Sequence, residues 1–167
     1  MYAAIFLAEA LTVWLYFSYI YAQTRSRLYT FVSFALGYGL LFLVFQLESV
    51  MINCAVAIIV NSLLLYLNYA CARRSALLHA AFLTLAMSAS ELLVNFVVMA
   101  FTGDFAAYTY SFAALIPLAV FSKLLYFFIT VIAARLFKPH KDSSGEPSQI
   151  ALLCVMPLVS ILISVSF

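Results

Sequence analysis

The sequence predicts an all-α fold: a polytopic integral membrane protein of about six transmembrane helices in an antiparallel bundle. Three observations predict it. Of 167 residues, 68% are hydrophobic and only 8% are charged, too little polar surface to cover a water-soluble globule of this size. The apolar residues form continuous stretches close to the roughly 20 residues a helix needs to cross a bilayer, not the short alternating segments of a transmembrane β-barrel. Every basic residue except Lys123 falls in an interruption, and the occupied interruptions alternate: Arg25 and Arg27, then Arg73 and Arg74, then Arg135, Lys138 and Lys141.

The first stretch, 2–22, has no positive residue before it and meets Arg25 and Arg27 just after it. That is the reverse of a cleavable signal peptide, so the helix stays in place with the N-terminus outside, as the positive-inside rule requires. The second, 28–47, carries Gly37 and Gly39, which permit a close crossing or a bend. It ends at an external turn bearing Glu48. The third, 51–70, carries Asn53, Asn61 and Asn68 and leads into the cytoplasmic Arg73/Arg74 loop. The fourth, 76–101, ends at an external turn of Thr102, Gly103 and Asp104. The fifth, 108–134, contains Pro117, and the short sixth, 150–167, contains Pro157; each proline removes a backbone hydrogen bond and can kink its helix. Between them lies the one flexible polar segment, a cytoplasmic linker at 138–149 rich in Pro, Gly and Ser. All other connections are a few residues long, so residues 1–167 are expected to form one transmembrane domain whose neighbouring helices pack as hairpins.

These features exclude several classes of function. The net charge of +2 is gathered on one face and reports orientation, not a nucleic-acid partner. Neither a glycine-rich phosphate loop nor a nucleophile elbow occurs. His79 and His140 are the only histidines and each lies at a cytoplasmic boundary, without metal-ligand spacing. Cys54, Cys71 and Cys154 read as small core residues. Tyr16, Tyr19, Tyr21 and Tyr29 at one interface, and Tyr108 and Tyr110 at the other, read as aromatic belts. No catalytic residue, metal or cofactor is expected.

A charge at the bilayer centre costs at least about 2.5–3.5 kcal/mol, so such residues face the bundle interior and pair. Glu91 and Lys123 lie near the midpoints of consecutive antiparallel helices and are expected to form an ion pair, which either fixes helix register or serves a ligand or a switch. Thr84, Ser88, Glu91 and Asn95 recur at intervals of four, three and four, a polar stripe along one helical face. Lys123, Tyr126 and Thr130 share a face of the fifth helix, and Asn53, Asn61 and Asn68 share one of the third. The candidate ligand-binding or switch residues are therefore Glu91, Lys123, Asn95, Ser88, Thr84, Tyr126 and Asn61. Glu9, Glu48 and Asp104 give an acidic external mouth that favours a cationic or polar-neutral ligand. Neutralising Lys123 alone is expected to do more damage than replacing Glu91 and Lys123 together, because it strands Glu91.

One further signal lies in the last third of the chain. The fifth stretch reads Ile116-Pro117-Leu118-Ala119-Val120-Phe121-Ser122-Lys123-Leu124-Leu125-Tyr126-Phe127-Phe128 and exits through Ala134-Arg135-Leu136-Phe137-Lys138; the sixth contains Met156-Pro157-Leu158-Val159-Ser160-Ile161. This resembles the membrane sensor region of peptide-responsive receptor histidine kinases of the accessory-gene-regulator type, which carry a GHKL-class ATPase domain. The resemblance implies a homodimeric receptor in the bacterial cytoplasmic membrane that recognises an extracellular peptide, often cyclic, and relays the event to a kinase module. The phosphoacceptor-histidine helix and the ATP-binding Asn and Gly boxes are missing, and a cytoplasmic kinase would require one more crossing after Phe167. The chain is therefore expected to be a sensor region without catalytic activity. Two alternatives stand beside it: a substrate-binding subunit of a small-molecule transporter, comparable in size to the vitamin-binding components of energy-coupling-factor importers, and a non-enzymatic scaffold acting through helix contacts with another membrane protein.

Overall fold

The computed structural model describes residues 2–102 and 112–137. They form five helices, α1 (Tyr2–Ile20), α2 (Arg27–Phe45), α3 (Val50–Asn68), α4 (Arg73–Thr102) and α5 (Phe112–Phe137). All five are long and apolar enough to cross a membrane, and the described residues contain no strand beyond one isolated antiparallel bridge between Gln23 and Tyr69. The expected sixth helix with Cys154 and Pro157, the linker with His140, and Gly103, Asp104, Tyr108 and Tyr110 lie outside the described residues.

Helix ends follow local chemistry. Ser26 precedes α2 with extended backbone, and its hydroxyl accepts from the Tyr29 N–H at 3.3 Å, satisfying a donor the first turn leaves open. At the other end of α2 the chain tightens into three-residue bonds, with Gln46 donating to Leu43 O, Leu47 to Val44 O and Glu48 to Phe45 O. There Glu48 adopts a φ of 55°, the left-handed region that side chains seldom occupy.

Arg73 and Arg74 open α4 instead of lying in a loop before it, and Arg27 and Arg135 likewise sit inside α2 and α5. Apolar content alone stops these helices short of their true ends. A helix keeps its hydrogen bonds beyond the hydrocarbon, while long arginine stems carry their charge to polar surroundings. The 30 residues of α4 span about 45 Å at 1.5 Å per residue.

Each helix packs on its chain neighbour, and α1 also packs on α5, so the five close into a ring. The basic ends meet. Thr24 donates its N–H to Asn68 O at 2.9 Å and Ala70 donates to Ala22 O at 3.0 Å, tying the α1–α2 connection to the α3–α4 connection. Phe137 at the end of α5 reaches the same place, edge-on to His79 and Phe82 with ring centroids 5.8 and 5.5 Å apart. The arginines of three separate interruptions therefore gather at one end of the bundle.

That end is filled. Tyr16, Phe17, Phe34, Tyr69, Phe82 and Phe137 are buried and make edge and tilted ring contacts, a geometry favoured by the ring quadrupoles. Two expectations are corrected here. Tyr16 belongs to this plug and not to an interfacial belt, and His79 is no boundary residue: both are almost fully buried, with Tyr16 Oη 2.7 Å from His79 Nδ1. Tyr21, half-buried, bonds to Ser75 at 2.7 Å, whereas Tyr19 and Tyr29 do face outward. The two glycines of α2 also separate. A Cβ on Gly37 would lie 3.0 Å from Val60 Cγ1 and 3.2 Å from Leu64 Cδ1, so Gly37 permits the close approach of α2 and α3, while Gly39 faces open space.

A polar cavity at the other end of the ring

The half of the bundle away from the arginines is not filled. It encloses a partly open cavity of about 390 Å³ lined by all five helices. Every one of the seven candidates, Thr84, Ser88, Glu91 and Asn95 on α4, Lys123 and Tyr126 on α5, and Asn61 on α3, lines it. Helical periodicity brings the α4 residues to one face, and packing turns that face inward.

The charges form a cluster at its centre. Glu91 lies eleven residues before the end of α4 and Lys123 eleven residues after the start of α5, so the two residues stand at equal depth. Lys123 Nζ lies 2.5 Å from Glu91 Oε1 and donates to it. A second carboxylate completes the cluster: Glu9 Oε1 on α1 is also 2.5 Å from the same Nζ. Glu9 was expected at an acidic external mouth; it is instead buried inside the ring. The side chains of Glu9 and Lys123 are 10% and 14% exposed against 47% for Glu91, so Glu9 is the more enclosed partner. Glu48 remains exposed in the turn after α2.

No family model matches the chain, and no curated protein or solved structure is similar to it.

The remaining walls are mostly apolar, and several of their polar groups are already bonded. Tyr38 donates its hydroxyl to Asn61 Oδ1 at 3.3 Å, and Thr84 and Ser122 donate to the backbone carbonyls of Ala80 and Ala119 at 3.0 Å. These bonds use the hydroxyl protons and leave the oxygens as acceptors. Asn53 also lines the cavity, and its buried Oδ1 has no hydrogen-bond partner among the described residues. Cys54, expected as core packing, is a wall residue 3.9 Å from Ser88 Oγ.

Two members of the polar stripes do not reach the cavity. Asn68 is fully buried near the arginine end and donates to Leu64 O at 2.9 Å, and Thr130 bonds to Phe127 O at 2.8 Å. Both lie deeper along their helices, within the packed half. Glu9 and Asn53 complete the site without having been singled out as candidates. A depth count would have found Glu9, which lies less than two helical turns shallower in α1 than Lys123 in α5, within reach of a lysine side chain. Among the described residues no group of three or more His, Cys, Asp or Glu side chains is placed to hold a metal ion.

Proposed function

We propose that this chain is an integral membrane protein of the bacterial cytoplasmic membrane, with the N-terminus and cavity facing outside and the arginine end in the cytoplasm. Its function is to recognise an extracellular ligand and to relay binding as a change in helix packing. The observation that carries this reading is the cavity itself: polar, charged, shared by all five helices and backed by a packed aromatic plug. A volume of about 390 Å³ lies toward the small end of ligand sites, roughly 300–1,000 Å³. A peptide ligand would insert a side chain or a terminus, not its whole body. Because Lys123 joins α1, α4 and α5 at one point, a ligand competing for either carboxylate alters the packing of three helices at once, which gives it differential affinity for two arrangements. In this reading the receptor is a homodimer coupled to a kinase module, as the resemblance in α5 and its exit implies.

A second reading has a specific observation behind it. A cavity of small-molecule size with one filled end also suits a substrate-capture component of a transporter. Native mass spectrometry of the gently solubilised protein from its own host separates the two. A dimer retaining a peptide mass is the expected result; a monomer holding a small metabolite, or a complex with ATPase subunits, would replace the receptor reading with transport.

A further inference from the structure

Two carboxyl groups face one ammonium in the cavity. The ionisable side chains lining it are Glu9, Tyr38, Cys54, Glu91, Lys123 and Tyr126, and the other basic residues among those described, Arg25, Arg27, Arg73, Arg74 and Arg135, belong to the far end. Lys123 contacts both carboxylates through a single oxygen each, so it leaves a second oxygen on either one. Neutrality at this depth takes one more positive charge. A ligand cation supplies it.

We infer that the cavity selects ligands bearing a protonated amine attached to an apolar body. The amine is placed by acceptors. Besides the free oxygens of Glu9 and Glu91, the buried Asn53 Oδ1 lacks a partner among the described residues, which an N–H donor would satisfy. The apolar body is placed by Phe6, Phe45, Val50 and Leu118, which line the same space. An anionic ligand finds one cationic side chain, Lys123, already held by two carboxylates. This inference rests on the cavity being an externally accessible ligand site, and Cys54 in its wall gives a native probe of both statements.

The experiment compares two methanethiosulfonates of the same length and opposite charge, the trimethylammonium-ethyl and the sulfonato-ethyl reagents, applied to intact cells. Peptide mass spectrometry reads the adduct at Cys54 of the unaltered chain, and each rate is normalised to that reagent's rate with a small free thiol. Charge-focused clefts raise local counter-ion concentration by roughly tenfold or more, so the cationic reagent is expected to lead by at least about tenfold. Hexylamine is expected to slow modification, with hexanol and hexanoate without effect. Equal normalised rates would overturn the selection for positive charge, and protection by hexanol as strong as by hexylamine would overturn the amine preference, each while leaving the external cavity intact. Failure of both reagents to reach Cys54 would overturn the cavity reading together with it.

Discussion

Glu9 and Glu91 hold the same ammonium, each with Oε1 2.5 Å from Lys123 Nζ. This changes the outcome expected from neutralising charges in pairs. Lys123→Met strands two carboxyls and is predicted to cost about 3–5 kcal/mol, the range for breaking a buried pair. Glu91→Gln with Lys123→Met is not the rescue that a two-residue pair would give, because Glu9 stays behind and is the more enclosed carboxyl. Glu9→Gln with Lys123→Met leaves only the half-exposed Glu91 and should recover more stability. The triple replacement with glutamines and methionine should recover most. Melting temperatures of the four proteins in one detergent check the order; a Glu91→Gln, Lys123→Met protein as stable as the triple would remove Glu9 from the cluster.

The glycines of α2 give an internally controlled comparison. Gly39→Ala should raise stability by about 0.5–1 kcal/mol, since it replaces a mid-helix glycine with nothing to clash against. Gly37→Leu should lower it by about 1–3 kcal/mol, because its side chain must displace Val60 and Leu64 from a packed crossing. Unfolding titrations with a denaturing detergent read both signs.

Tyr16→Phe removes the hydroxyl from a buried contact with His79. A buried polar atom left without its partner costs about 1–3 kcal/mol, and a loss of that size is expected. Tyr29→Phe, on an exposed side chain, should stay within about 0.5 kcal/mol. Matching losses from the two substitutions would show that the buried contact contributes little.

Cys71 lies between α3 and α4, where burial pushes its thiol above the ordinary range against the opposing hydrogen bonds of Tyr21 and Ser75. The thiolate is the reactive form. A raised value leaves less thiolate at any pH below it, so alkylation of Cys71 should be slower than that of a free cysteine at neutral pH, with its rate still rising above pH 9. Site-resolved mass spectrometry after timed iodoacetamide treatment gives the pH profile; a rate already level at pH 8 would contradict it.

Much of this architecture was legible because long apolar helices obey constraints that act on short patterns. Apolar length marks each helix, and the four-three-four spacing of Thr84, Ser88, Glu91 and Asn95 marks the inward face of α4. The Glu91–Lys123 contact follows from their places near the midpoints of consecutive antiparallel helices. Glu9 was less legible because α1 and α5 are far apart in sequence, and only ring closure makes them neighbours. Tyr16 and His79 were misplaced for a related reason: near a helix end, a polar aromatic residue fits an interface as well as an interior, and the choice depends on which helix lies opposite. Arg73 and Arg74 fell outside the expected α4 because hydropathy measures the hydrocarbon, not the helix.

The paired backbone bonds at the arginine end, Thr24 to Asn68 and Ala70 to Ala22, make that end a fulcrum. Four helices are joined there by main-chain links that depend on no side-chain rotamer, which in the proposed receptor leaves their opposite tips the freer to splay. Among the described residues, α5 alone reaches the clamp through ring contacts, which can slide. In the proposed receptor, a push on Lys123 would therefore travel along α5 as along a plunger, toward Phe137.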